Sequence, residues 1–386
     1  MAFTSNRIEV ADALECIEHF YRENMTDGLP VVPPTEARVQ QFLDAVGLAP
    51  ETIVAEVTER ASLISAEKLA INAVMAGCLP QYMPVLVAAV EALADPLFKF
   101  NHLASIGSPW PMLVVCGPVV REIGMHHGRY LFGSGNRANA TIGRAVSLLL
   151  WNCCELRPDA IQRGDLGNAH RYSICIAENP DTAWQGLNEW EGFERSTSTV
   201  TVASGYNLCN ARTIGSTPQA LLNPLVNALS QHEFSPGVFV VTIPPTIEQM
   251  LVNEGWSKRR IRDYIFENCR RSVKHLKETA RWGRHASVHV PGLKDLVPLE
   301  PGDEARWVYL FKRNPELDRY VFHEGGLSRR ADVLVVAAGG DAGNMIGFYQ
   351  PYSQSTTPVT KPIRLSVGTR AGAGTGLRHD ATHGDA

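Results

Sequence analysis

The segment Phe132-Gly-Ser-Gly-Asn-Arg-Ala-Asn-Ala-Thr-Ile-Gly-Arg144 sets two arginines and two asparagines in a glycine-loosened loop that runs into an apolar stretch. A helix start leaves backbone N–H groups unpaired and carries the positive end of the helix dipole, so such a junction suits an anionic ligand. Gly133 and Gly135 allow close backbone approach, and Arg137 and Arg144 can grip a carboxylate or phosphate in bidentate fashion. Asn136 and Asn139 add directed donors, and Asn139 can cap the helix. The Gly-Lys-Ser/Thr ending of a P-loop is absent, and the glycines do not stand where a dinucleotide fingerprint requires them. The plainer alternative is a tight turn whose arginines bridge two domains.

Thiols and imidazoles supply the reactive groups. The eight cysteines include no CxxC pair, and most are expected to be buried apolar side chains. Cys78, between Gly77 and Leu79-Pro80, is the first candidate nucleophile or thiol donor, because a sharp turn there can project its side chain. A helix C-terminus disfavours a thiolate, so activation would have to come from the next helix, starting near Pro84, or from Arg137; the alternative is a buried structural cysteine. Cys209 follows as second candidate, in a polar loop with Arg212 nearby, and Cys116, before Gly-Pro, as third. His126 and His127 precede the arginine loop and can handle protons there. His285 and His289 have metal-ligand spacing only on a helix, whereas their surroundings read as extended; no Cys/His cluster shows zinc spacing, so no metal is assigned. The turn Gly339-Gly-Asp-Ala-Gly-Asn344 follows an apolar strand, and Asp341 and Asn344 would line a cleft at strand ends, unless the glycines merely serve a tight turn.

These groups need a scaffold. Apolar spacing predicts a helix over 8–23, an extended Thr26–Thr35 connection stiffened by Pro33-Pro34, and a helix from Glu36 capped by Thr35. A helix over Ala66–Ala76 should stop at Gly77, and Pro84 fits the first turn of the next. Strands are expected at Met112–Cys116, Tyr172–Ala177, Ser198–Ala203, Val238–Ile243 and Asp332–Ala338, and helices at 139–153, 246–253 and 258–272. Strands alternating with helices imply an α/β or α+β protein, a layered mixed sheet covered by helices, divided into residues 1–230 with the anion loop and 236–368, with a disordered glycine-rich tail at 369–386.

A formal net charge of −4 gives no global field for nucleic acid or anionic lipid. No run approaches the roughly 20 apolar residues of a membrane span, and the N-terminus shows no signal core. A cytoplasmic homo-oligomer, a homodimer, is the expectation.

Four phrases resemble a poorly characterised bacterial family: Thr26-Asp-Gly-Leu-Pro-Val-Val-Pro-Pro-Thr35, Ala73-Val-Met-Ala-Gly-Cys78, Asn139-Ala-Thr-Ile-Gly-Arg144 and Glu254-Gly-Trp-Ser-Lys258. Its members look like partners of small thiol or selenol proteins bearing a Sec/Cys-Gly-Ser-Cys motif. The resemblance covers about residues 25–365; the four-residue motif itself is absent here. It implies a thiol or selenol partner protein and thiol-linked chemistry on a small acid or thioester, but no particular reaction and no cofactor.

The first functional expectation is an enzyme that binds a small carboxylate, thioester or phosphate-bearing substrate and performs thiol-linked lyase, transfer or reductive cleavage chemistry. The second is a metal-dependent hydrolase or lyase using His126, His127, His285 or His289. The third is a non-catalytic acyl- or nucleotide-binding subunit.

Overall fold

The computed structural model describes residues 3–105, 107–158, 160–231, 238–278, 302, 304–309, 313–314, 319–324, 327–330, 332–351 and 357–364. His285, His289 and the expected tail lie outside them. The protein is of the α/β (or α+β) type, with mixed sheets covered by helices.

The helices are α1 (Ala13–Arg22), α2 (Glu36–Val46), α3 (Ala66–Ala76), α4 (Met83–Leu93), α5 (Val119–Glu122), α6 (Arg137–Cys154), α7 (Leu187–Trp190), α8 (Pro218–Gln231), α9 (Pro245–Asn253), α10 (Lys258–Asn268) and α11 (Val273–Glu278). Among the described residues no helix is long and apolar enough to cross a membrane. A hairpin, β1 (Ile53–Val57) and β2 (Ser62–Ser65), leads into α3. Small pairings join β8 (Arg270–Ser272) to β9 (Trp307–Tyr309), and β11 (Arg319–Glu324) to both β10 (Arg313–Asn314) and β12 (Leu327–Arg330).

Two four-stranded sheets form the centre. The first runs in the order β15 (Val359–Pro362), β5 (Thr199–Gly205), β3 (Trp110–Cys116), β4 (Cys175–Ala177); the second β13 (Asp332–Ala337), β7 (Val238–Ile243), β14 (Met345–Gln350), β6 (Asn207–Arg212). Within them β3 runs parallel to β4, and β13 parallel to β7. Side chains alternate across a strand, and the second sheet uses both faces. Val238, Val240, Leu334, Val336 and Tyr349 join the core around α3, α4 and α6, while Phe239, Val241, Ile243, Val333, Val335 and Phe348 join a second core under α8, α9 and α10. The chain changes sheets at Tyr206, between β5 and β6, where its N–H donates to the Gln350 carbonyl. The Tyr349 hydroxyl fastens the same junction, shared between the carbonyls of Trp110 (2.8 Å) and Gly205 (2.6 Å). Strand membership thus crosses the expected division near residue 230, since β6 belongs to the second sheet and β15 to the first.

Local chemistry explains the boundaries. Helix α1 begins at Ala13 rather than residue 8 because the Asp12 carboxylate accepts the N–H groups of Leu14 and Glu15. Helix α3 starts under the Ser65 hydroxyl and stops as expected at Gly77, whose φ of 88° is left-handed. Helix α6 begins at Arg137, and its cap is Asn136, not Asn139: the Asn136 side chain accepts the Asn139 N–H at 3.0 Å. The segment expected as a polar loop around Cys209 is strand β6, because β14, more than a hundred residues later, supplies its hydrogen-bond partner. The helix expected to reach residue 272 ends at Asn268, and 270–272 become β8.

Candidate functional site

The parallel pair β3 and β4 end together, and the chain after β13 reaches the same place. The Glu178 N–H, just past β4, donates to the Val115 carbonyl (2.9 Å), and the Asn179 N–H donates to Ala337 (2.7 Å) at the end of β13. Carboxyl ends of strands are where ligands gather in open α/β sheets. At this edge lies the buried carboxylate of Glu178. The Glu178 Oε1 accepts the Lys258 ammonium at 2.5 Å and the Ala337 N–H at 3.0 Å. Its Oε2 accepts the Leu187 N–H at 2.6 Å and the Cys116 thiol at 3.6 Å. The side chains of Lys258 and Glu178 are only 4% and 3% exposed. Lys258 is brought in as the first residue of α10, behind the Ser257 cap. Burial drives the Cys116 thiol well above its ordinary range, the neighbouring Glu178 charge adds to this, and Lys258 opposes it.

Glu178 lies in the wall of a cleft of about 420 Å³, together with Gly117, Arg121, Thr182, Asn188 and Arg195. Arg121 is ion-paired to the exposed Asp181. Arg195 donates to the Thr182 carbonyl at 3.1 Å and stands 4.0 Å from Glu189. The Asn188 amide holds the far wall by donating to the carbonyls of Glu194, Arg195 and Thr197. Buried Glu248 fixes the near wall, accepting the Thr182 hydroxyl (2.5 Å) and the Ala183 N–H (2.9 Å). Gly117 has φ of 90°, and a Cβ on it would lie 2.8 Å from Ser198 Cα and the Thr197 carbonyl, so the strand-to-cleft turn needs glycine.

Compared with known proteins, the chain matches no family model, no curated protein and no solved structure. The site stands on its geometry.

The residues singled out in the sequence are placed as follows. Arg144 spends its fork on Asp27 (2.9 and 2.8 Å), with further bonds to the Leu29 and Pro30 carbonyls, and so ties α6 to the Thr26–Thr35 connection. Arg137 donates to the carbonyls of Gly77 (2.9 Å) and Cys78 (3.4 Å), placing a cation at the negative end of α3. Both arginines therefore have partners within the protein. Cys78 is buried between these helices, donates to the Thr141 carbonyl at 3.2 Å, and is pushed by burial to about 12. A protonated, enclosed thiol is a different setting from the projecting nucleophile expected. Cys209, on β6 opposite Phe348, is also raised by burial.

Asn139 is buried and clamps His126, accepting its N–H at 2.8 Å and donating to its carbonyl at 2.9 Å. The Asn136 amide donates to Gly124 at 2.9 Å, while Gly133 and Gly135 are exposed. The His126 ring contacts the Arg129 carbonyl. The His127 carbonyl accepts the Gly339 N–H at 2.9 Å, and burial first, then His126, lower the affinity of its ring for a proton. Asp341 forms a two-point ion pair with Arg129 (2.6 and 2.8 Å), and the Asn344 carbonyl accepts the Thr213 N–H at 2.9 Å. The loop before α6 and the turn after β13 thus do come together, through Arg129–Asp341 and His127–Gly339, beside the cleft but not in its wall.

Glu178, Arg121, Asn188 and Arg195 carry no motif in the sequence, and Lys258 appears there only as the end of the phrase Glu254-Gly-Trp-Ser-Lys258. Lys258 offered a faint signal, a lysine at the start of an amphipathic helix where the dipole disfavours it. Among the described residues no group of three or more His, Cys, Asp or Glu could hold a metal ion.

Proposed function

We propose that the protein is an enzyme for a small anionic substrate bound in the cleft beside Glu178, acting by thiol-linked chemistry at Cys116. The observation that carries this reading is the contact of one buried carboxylate with both a thiol and an ammonium group at the joined strand ends. Burying a carboxylate and an ammonium costs several kcal/mol per ion before their attraction is counted, and perturbed titratable groups beside a cleft mark functional sites more often than other places. Glu178 Oε2 accepts the Cys116 S–H at 3.6 Å; burial and the Glu178 charge keep the thiol protonated at rest, so the reaction requires Oε2 to take this proton as substrate enters, with Lys258 compensating the charge that remains. Arg121 and Arg195, on the cleft wall, supply the positive groups that an acid or phosphate would meet. The resemblance to partners of thiol and selenol proteins favours the same chemistry.

The test is calorimetric binding and mass-spectrometric turnover of small carboxylates, acyl thioesters and phosphorylated acids, with Cys116→Ser, Glu178→Gln and Arg195→Gln compared with wild type. The expected result is about a 10²- to 10⁴-fold loss of turnover in the first two, as for removal of a proton-transfer group, and weaker binding in the third. Full turnover in Cys116→Ser and Glu178→Gln, or no binding of any of the three compound classes by wild type, would overturn the reading.

A further inference from the structure

At the opposite end of β3 from Cys116, about 20 Å away at roughly 3.3 Å per residue, stands a second cluster. The Arg171 guanidinium lies 4.0 Å above the Trp110 ring. The platform is rigid: Trp110 Nε1 donates to the Ser147 hydroxyl at 3.0 Å, and the Tyr349 hydroxyl is anchored on the Trp110 carbonyl. Arg171 Nη1 donates to the Gln162 side chain at 3.2 Å, and Gln162 is itself held by the Leu103 carbonyl at 2.7 Å. Its Nε and Nη2 have no protein acceptor among the described residues, and no carboxylate there pairs with it. Elsewhere in the protein the half-buried arginine Arg144 has its fork filled by a carboxylate. Beside Arg171, the His170 ring packs edge-on against Tyr349 at 5.3 Å, and its Nε2 is sealed in with no hydrogen-bond partner. Two adjacent residues thus present unmet hydrogen-bonding groups, one of them a fixed cation. Buried polar groups are nearly always satisfied, so the His170 nitrogen is an exception, whereas the free nitrogens of Arg171 reach solvent and are open to a ligand.

We propose that Arg171, backed by Trp110 and flanked by His170, binds a small oxyanion, the carboxylate or phosphate of a ligand separate from the substrate of the cleft. The free edge of a guanidinium matches two oxygens of either group, and the stacked ring limits the orientations it must give up on binding. Burial, with the Arg171 charge adding to it, depresses His170 to about 4, so the ring is neutral at pH 7. An anion there would favour the protonated ring and raise that value.

The test titrates the full-length protein with inorganic phosphate and, separately, with sodium acetate, following binding by calorimetry and the His170 ring by NMR across pH. Saturable binding is expected, with His170 shifted upward by at least about one pH unit, a shift that needs no variant to observe. Arg171→Gln should weaken binding about ten- to a hundredfold, as for loss of a charge-assisted hydrogen bond. The anion-induced shift of His170 should persist in Arg121→Gln and Arg195→Gln, which alter only the separate anion contacts of the cleft. Preference for phosphate over acetate, or the reverse, identifies which oxyanion the ligand carries. An unmoved His170, or a His170 shift lost in the cleft variants but kept in Arg171→Gln, would overturn the proposal without bearing on the chemistry at Cys116.

Discussion

The Lys258 ammonium and the Glu178 carboxylate meet at 2.5 Å across 80 residues of sequence, and neither side chain is more than 4% exposed. The same carboxylate accepts backbone N–H groups from Leu187 and Ala337, so it joins α7 and β13 to the end of β4. One group thus fastens the strand ends and stands in the cleft wall.

Replacing Lys258 by Met should leave that carboxylate uncompensated and lower stability by about 3–5 kcal/mol, whereas Glu178→Gln with Lys258→Met together should recover much of the loss. Denaturant unfolding of the two single variants and the double variant measures the coupling. A loss below about 1 kcal/mol in Lys258→Met would mean that the pair is solvated.

Arg144→Lys should not be conservative. A lysine cannot reach both Asp27 oxygens and the two carbonyls at once, and the side chains it would replace and face are only 16% and 9% exposed. A loss of about 1–3 kcal/mol is expected, the range for hydrogen bonds to charged groups, with faster proteolysis in the Thr26–Thr35 connection. Wild-type stability and unchanged cleavage would show that the fork contributes little.

Cys78 carries a prediction for pH. Burial raises its thiol from an ordinary value near 9 to about 12, against the smaller pull of Thr141, Arg137 and Arg144. The folded state therefore holds a proton that the unfolded chain releases, so this contribution is complete below pH 9 and is lost as pH rises toward 12. Cys78→Ala should lessen the alkaline fall in stability. Iodoacetamide at pH 8 should label Cys78 no faster than the protein unfolds. Rapid labelling of the folded protein would return Cys78 to the role of an open nucleophile.

Periodic elements could be read from the sequence because local forces set them. Helix α3 between the Ser65 cap and Gly77, and β7 as an unbroken apolar run before two prolines, match their expected bounds. Strand β6 could not be read, because Asn207–Arg212 is largely polar and its partner β14 lies more than a hundred residues later in the chain. The arginine loop was recognisable as a helix entry, but its partners Asp27, Gly77 and Cys78 lie far away in sequence, so a gap-bridging role looked the same as a ligand-binding one. The pairing of Glu178 with Lys258 is illegible for the same reason: a lone carboxylate after a strand and a lysine that closes a short phrase at a helix start become a pair only in three dimensions.

Gly117→Ala tests the joint between strand and cleft. The left-handed backbone would cost about 1–3 kcal/mol by itself, and the added Cβ would meet backbone atoms of Thr197 and Ser198 at 2.8 Å, which no side-chain rotation can relieve. The 197–198 segment must then move, and with it the Ser198 hydroxyl that accepts the Val119 N–H at 2.9 Å and the Thr197 carbonyl that holds Asn188. The variant should lose stability and also open the cleft wall, seen as faster amide exchange at Val119 and through 188–197. Gly124→Ala, at φ of 67° but with nothing within 4 Å of the added atom, isolates the conformational cost. If both variants lose the same amount and exchange at 188–197 is unchanged, the close approach of Gly117 to Ser198 does not hold the wall.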